Sequence, residues 1–256
     1  MTMDTGARTP LMEMFRRGNV ETEVRMLAAR GILAPRGHEQ LALLAMLADD
    51  EDAEVATAAR ETIAGIPPDQ LSAFVARADV STELRNFFTS SGSEAPVTAA
   101  ASDGPLVDNS PAVTPSPADQ EEGSALQRIS AMNVAQRLTV AMKGSREERT
   151  ILIRDPNKIV AAAVLSSPKL TEMEVESIAR MANVSEDVLR IISANRAWMK
   201  NYQVALALAK NPKTPVAVSM NLLARLTERD LKMISTDRNV PDVLRVTARK
   251  KVVIDK

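Results

Sequence analysis

The chain has 256 residues, a net charge of −1, 45% apolar residues, 2% aromatic residues and no cysteine. Without cysteine, the chain has no disulfides, no thiolate catalysis and no cysteine-ligated zinc or iron–sulfur cluster. A core poor in aromatic residues must be built from Ala, Leu, Val, Ile and Met, and this composition favours closely packed helices over strands.

Residues 9–88 are predicted to form short helices in succession. Thr9-Pro10 is typical of a helix start, with the threonine as the cap and the proline in the first turn. Pro67-Pro68 opens another helix, and glycines separate the segments. The acidic run at residues 49–54 lacks the glycine and the terminal glutamate of a calcium-binding loop, and it suits a helix N-terminus without any metal.

Residues 89–124 are predicted to be a disordered linker. This stretch of 36 residues holds 5 of the 14 prolines and few large apolar side chains. Such a composition cannot bury enough surface to offset the entropy of ordering the chain. The linker separates the first helical segment from a second one at residues 125–254.

Paired polar residues mark helix starts in this second segment. Ser145 with Glu148, and Thr171 with Glu174, have the spacing of capping boxes, in which each side chain bonds the backbone N–H of the other residue. No stretch shows sustained strand alternation with hairpin turns. The expected fold class is therefore all-α.

An internal repeat with an offset of 44 residues lies in the second segment. Residues 157–180, NKIVAAAVLSSPKLTEMEVESIAR, align with residues 201–225, NYQVALALAKNPKTPVAVSMNLLAR, through shared Asn, Val, Ala, Pro and Lys positions. Residues 183–190 and 239–245 share a further element, NVSEDVLR and NVPDVLR. A period of about 40–47 residues is typical of HEAT and armadillo units, whose helix pairs stack into a solenoid.

These segments resemble known helical-repeat families. Residues 49–63, DDEDAEVATAARETI, resemble the second helix of a HEAT repeat, and VAAAVLSSPKLT and VALALAKNPKTP resemble the leucine-rich-repeat-variant motif. The C-terminal half is similar to uncharacterised bacterial proteins with such repeats. The resemblance implies two α-solenoid, HEAT-like domains, at residues 9–88 and 125–254, that bind protein or nucleic acid. The iron–sulfur cluster of the best-known variant-repeat protein is not implied, because this chain has no cysteine.

Charge is divided unevenly along the chain. Residues 1–123 carry 9 Arg, no Lys and 20 Asp or Glu, a net charge of −11. Residues 124–256 carry 23 Lys or Arg and 13 Asp or Glu, a net charge of +10. Opposite charges of this kind indicate either docking of the two segments on one another or separate partners for each.

A basic partner-binding face is the candidate site in residues 124–256. Repeated arginines lie in rows on a solenoid, where they meet phosphates or carboxylates of a partner, or pair with glutamates of neighbouring helices. Trp198 and Tyr202 stand among cations, a pattern that suits base stacking and also a Trp packed between repeats. The candidate residues are Arg180, Arg190, Arg196, Trp198, Lys200, Tyr202, Lys210, Lys213, Arg225, Arg245 and Arg249.

The sequence contains no recognisable catalytic motif. The single histidine, His38, has no second His and no Cys with which to form a catalytic pair. We therefore expect a non-enzymatic cytoplasmic scaffold or adaptor, without cofactor, metal or membrane span, that binds a protein partner. The alternative is nucleic-acid binding by residues 124–256, modulated by the acidic N-terminal domain.

Overall fold

The structure is a computed structural model that describes residues 9–18, 20–33, 36–90, 104, 106, 107, 109 and 125–254. These residues form sixteen α-helices and no β-strand, which confirms the all-α prediction. The first six helices are α1 (Pro10–Arg16), α2 (Thr22–Ala29), α3 (Gly37–Leu47), α4 (Ala53–Ala64), α5 (Pro68–Val75) and α6 (Thr82–Ser90).

Ten further helices follow. They are α7 (Ala125–Ala131), α8 (Val134–Lys143), α9 (Arg146–Leu152), α10 (Lys158–Ser166), α11 (Glu172–Arg180), α12 (Glu186–Ala194), α13 (Tyr202–Lys210), α14 (Val216–Leu222), α15 (Glu228–Thr236) and α16 (Asp242–Ile254). Two short 3-10 helices, Trp198–Lys200 and Leu223–Arg225, precede α13 and follow α14. Within the described ranges, no helix is long and apolar enough to cross a lipid bilayer.

The chain forms two compact units. Unit 1 is Met1–Arg149 with Ala162–Pro168, and unit 2 is Thr150–Ala161 with Lys169–Lys256. The division between them runs through α9 and α10, and α7 and α8 belong to unit 1. It therefore does not follow the predicted boundary at residues 89–124, and separate folding of the two predicted domains stays a prediction.

Side-chain caps confirm most of the predicted helix starts. Thr9 accepts a hydrogen bond from the N–H of Met12, three residues on. The Thr171–Glu174 capping box is complete, with both reciprocal bonds present. In the acidic run, Asp52 caps α4 by accepting from the N–H of residue 54 at 3.0 Å. Caps satisfy backbone donors that have no partner inside the helix, so these short polar residues fix where each helix begins.

Unit 1 is built around α3. Its sequence, GHEQLALLAML, is apolar on nearly every side, and a helix of that kind must be surrounded by other helices. It packs against α1, α2, α4 and α6. Leu41 and Leu44 are fully buried, and so is the polar side chain of Gln40 among them, which is 1% exposed. A buried amide at such a position needs hydrogen-bond partners, because an unpaired one is costly.

The repeat is visible in α10 and α13, the equivalent helices of its two copies, which begin 44 residues apart. Asn157 precedes α10 and Asn201 precedes α13, and each side chain accepts from the backbone N–H two residues on, at 2.9 Å. Both helices are rich in buried alanine, which allows close packing of neighbouring helices. In unit 2, α13 packs against α11 and α14, and α15 packs against α16. The solenoid arrangement stays a prediction.

A side-chain turn recurs where helices end. Asp155, Asn195, Asn211 and Asp237 follow α9, α12, α13 and α15, and each accepts from the backbone N–H two residues on, at 2.8 to 3.0 Å. Asx turns of this kind replace the helix with a sharp change of chain direction. Asn211 also bonds a second helix. Its side chain is buried, and its Nδ2 donates to the carbonyls of residues 179 and 181 at the end of α11, at 2.8 and 2.9 Å.

Most of the predicted linker, namely residues 91–103, 105, 108 and 110–124, lies outside the described residues. At its start, residues 89 and 90 are the last turn of α6 and not linker. Four residues are described and lie against the helices of unit 1, to which they belong: Gly104, Leu106, Val107 and Asn109. We call these four residues the docked segment. At these positions the predicted disorder is replaced by specific hydrogen bonds.

Candidate binding surfaces

The predicted basic face centres on the turn before α13. Arg225 Nη2 donates to the carbonyl of Met199 at 2.6 Å, which brings the end of the second 3-10 helix to the first one. Trp198 is half-buried, and its backbone N–H donates to Asn195 Oδ1 at 3.3 Å. Lys200 is exposed beside it. This bond places Arg225 beside the 3-10 turn that carries Trp198 and Lys200. The sequence offered no reason to expect a bond from Arg225 to a main-chain carbonyl.

Tyr202 forms a polar cluster with the start of α15. Its hydroxyl donates to the carboxylate of Asp230 and accepts from the N–H of Thr227 at 3.1 Å. The Thr227 hydroxyl also donates to Asp230, at 2.8 Å. The hydrogen bond from Tyr202 is the main reason that the pKa of Asp230 lies below its usual range, with Thr227 and the charge of Lys210 acting in the same direction and burial opposing them. Tyr202 therefore connects the start of α13 to the start of α15, and its hydroxyl is engaged there and is not open to a nucleobase.

Two of the predicted arginines are paired within their own helices. Arg180 pairs with Glu176 on α11, and Arg190 pairs with Glu186 on α12, each with a carboxylate four residues earlier. Glutamate four residues before a cation is the favourable orientation for such a pair. The alternative interpretation of the sequence, that these arginines pair with glutamates, is correct in kind, but the glutamates lie in the same helix and not in a neighbouring one.

The last helix repeats this behaviour. Arg245 pairs with Asp242 in the first turn of α16, and Arg249 Nη2 donates to the carbonyl of Ser235 at 3.4 Å. With Arg180, Arg190 and Arg225, five of the six arginines named for this face therefore form bonds within the chain, and Arg196 is the exception among the described residues.

Three cations of the predicted face remain open to a partner. Arg196, Lys200 and Lys213 are exposed and form no ion pair within the described ranges. Arg196 and Lys213 lie in turns and Lys200 lies in the first 3-10 helix, so no single helix presents all three. In the part of the chain that the structure describes, no three His, Asp or Glu side chains gather as metal ligands either.

A second surface, which the sequence did not indicate, lies in unit 1 around Gln40. Its Oε1 accepts from the backbone N–H groups of Leu106 and Val107, at 2.7 and 2.9 Å. Its Nε2 donates to the carbonyl of Val107 and to that of Gly31, the latter at 3.2 Å. Every hydrogen-bonding direction of this buried amide is used, and three of its four bonds go to the main chain of the docked segment.

Close packing completes the contact with the docked segment. A Cβ atom added to Gly37 would lie 2.8 Å from the Gly104 carbonyl, from a methyl of Leu106 and from the ring of Phe74. The missing side chain of Gly37 therefore provides the space into which the segment fits. Further along, Asn109 Nδ2 donates to the carbonyl of Arg30 at 2.9 Å. We call this surface of α2, α3 and α5 the peptide groove.

Two signals in the sequence could have pointed to the peptide groove. Gln40 is a polar residue inside the apolar run of α3, where a side chain without a partner would be costly. Leu106-Val107 is the one adjacent pair of large apolar residues between residues 89 and 124. Neither signal identifies the other, because 66 residues separate Gln40 from Leu106.

Comparison of the chain with family models, with curated proteins and with solved structures found no match. The resemblance to HEAT-like and leucine-rich-repeat-variant proteins therefore stays a prediction. The two surfaces themselves are what indicates a function for this chain.

Proposed function

We propose that this chain is a non-enzymatic scaffold or adaptor that binds a protein partner through the surfaces of its helices. The observation that supports this most is the contact of Gln40 with the main chain of Leu106 and Val107. An amide that accepts from two successive N–H groups and donates to a carbonyl recognises peptide backbone, as strand addition does in other peptide-binding proteins. Catalytic chemistry is not required to explain any part of this site.

The peptide groove is also held by contacts that do not involve the docked segment. Gln40 lies on α3, the most buried helix of unit 1, and its bond to the Gly31 carbonyl fixes the orientation of its amide. Phe74, which is 1% exposed, forms a firm wall opposite Gly37. A rigid site loses little conformational entropy on binding, so a short segment is enough for a specific contact.

The basic face supports a protein partner better than a nucleic acid. Phosphate binding draws on free cations, each of which adds to the salt dependence of the affinity. Arg180, Arg190 and Arg245 already pair with carboxylates, and Arg225 holds a carbonyl. We therefore propose a protein partner, and nucleic-acid binding by residues 124–256 is the alternative outcome of the experiment below.

The test measures peptide binding by the full chain after its own segment has been displaced. In the double variant Leu106→Asp, Val107→Asp, two charges in the apolar contact keep the segment out of the groove. A fluorescent peptide with the sequence of residues 101–112, ASDGPLVDNSPA, is titrated with this variant and followed by anisotropy. We expect saturable binding that weakens at least about tenfold when Gln40→Leu is added, since a tenfold change equals roughly 1.4 kcal/mol and three hydrogen bonds are lost.

Two controls make this test decisive. Gln70→Leu, at an exposed glutamine of α5, should leave the affinity for the peptide unchanged. A labelled oligonucleotide is titrated with the unsubstituted chain at low salt. Absence of peptide binding at millimolar protein would contradict the proposal, and oligonucleotide binding with a steep salt dependence would replace it with the nucleic-acid alternative.

A further inference from the structure

A cavity of about 810 Å³ adjoins the docked segment where Asn109 contacts unit 1. Its lining includes Met26 of α2, Arg30 directly after α2, and Glu54 and Glu61 of α4. Asn109 itself forms part of the wall. The side chain at position 109 therefore meets the cavity, and a longer side chain there would enter it.

The cavity carries an excess of negative charge. Glu54 and Glu61 are seven residues apart on α4, so both lie on the helix face that lines the cavity. Arg30 is the cation among the lining residues, against two carboxylates. A Lys or Arg side chain suits such a space, because its methylene groups cover apolar surface such as Met26 while its charged end reaches the carboxylates.

The chain's own segment does not use this charge. Position 109 is an asparagine, and the residue before it in the sequence is an aspartate. The docked segment thus bonds its backbone to Gln40 but brings no cation to Glu54 and Glu61. It is held in the groove with less than the full set of contacts that the groove offers.

We infer that the peptide groove is a regulated site in which the docked segment competes with a partner's peptide. The partner's peptide carries an adjacent aliphatic pair, as Leu106-Val107 does, followed two residues later by a Lys or Arg that enters the cavity. This inference rests on the proposed function and adds the partner's chemistry and its regulation. Tethering gives the chain's own segment an effective concentration on the order of millimolar. A partner must therefore bind well enough to displace it.

The test compares three peptides on the Leu106→Asp, Val107→Asp chain. They have the sequence ASDGPLVDNSPA, the same with Lys in place of the residue at position 109, and the same with Glu there. We expect the Lys peptide to bind roughly 3- to 10-fold more tightly than the parent at low salt, and the Glu peptide to bind correspondingly more weakly. Glu54→Gln with Glu61→Gln should abolish this order, whereas Glu23→Gln, at an exposed glutamate of α2, should preserve it.

A second measurement tests the competition. The unsubstituted chain should bind the Lys peptide at least about tenfold more weakly than the double variant does, because its own segment occupies the groove. Equal affinities of the two chains would overturn the competition. Equal affinities of the Lys and Glu peptides would overturn the partner's chemistry. Failure of the parent peptide to bind at all would instead contradict the proposed function, so the failures are distinguishable.

Discussion

Gly37→Ala should release the docked segment while leaving the helices of unit 1 in place. The added Cβ would lie 2.8 Å from the Gly104 carbonyl, from a Leu106 methyl and from the Phe74 ring. The methyl group of Leu106 can rotate away, but the carbonyl belongs to the backbone and Phe74 is 1% exposed. Overpacking of this kind costs about 1–3 kcal/mol, which changes an equilibrium roughly 5- to 150-fold.

That cost is comparable to what holds the segment. Gln40 makes three hydrogen bonds to the main chain of Leu106 and Val107. Each contributes about 0.5–1.5 kcal/mol net of water, so the docking and the clash are of similar size. The expected result is that the docked segment becomes largely undocked, because its release relieves two of the three close contacts, those with Gly104 and Leu106, without opening any helix.

Hydrogen exchange followed by NMR measures this directly. The amides of Leu106 and Val107 should exchange 5- to 150-fold faster in Gly37→Ala, by the same roughly 1–3 kcal/mol, with an unchanged far-UV circular dichroism spectrum. Gly65→Ala is the matched control, because its Cβ would meet nothing closer than 3.4 Å. Unchanged exchange in Gly37→Ala would refute the reasoning, and so would a general loss of helical signal.

Three further predictions concern stability, and urea unfolding followed by circular dichroism checks each of them. Asn211→Ala removes the three hydrogen bonds of a buried side chain and should destabilise unit 2 by about 2–4 kcal/mol, more than Asn195→Ala at the half-buried turn. Tyr202→Phe removes the bond that most lowers the pKa of Asp230 and should cost about 1.5 kcal/mol at pH 7. Since the folded pKa is depressed, that stabilisation is present above the unfolded pKa and is lost as the pH falls through the folded one, so the variant should lose less stability on acidification. Asp52→Ala removes the cap of α4 and should cost unit 1 about 1 kcal/mol. No change in the unfolding midpoint would contradict the corresponding prediction.

Local signals in the sequence predicted the helices well. Thr9, Thr171 and Glu174 cap helices where their spacing indicated, because a cap depends on residues only a few positions apart. The 44-residue offset likewise located α10 and α13, whose starts are capped in the same way. Such features are short-range, and the physics that produces them is visible within one window of the sequence.

The candidate sites were harder to predict, for two different reasons. The pairs Glu176–Arg180 and Glu186–Arg190 are four residues apart in one helix, so their spacing alone predicts them. A net charge summed over the whole region does not show which arginines are paired. The position of the docked segment was not predictable from local sequence, even though Leu106-Val107 stands out as an apolar pair. The segment has the average composition of a linker, and its order depends on one amide 66 residues away in sequence.

The two surfaces also differ in how easily a partner replaces what occupies them. Arg180 and Arg190 are paired with carboxylates of their own helices, so the pairs persist for as long as the helices do. The bonds of Gln40 to the docked segment join regions that are distant in the chain. In the proposed function they are exchanged for bonds to another peptide, and that exchange does not require α3 to unfold. A binding site needs groups that are satisfied at rest and released at little cost. On that criterion we propose that a partner binds at the peptide groove of unit 1 and not at the basic face of unit 2.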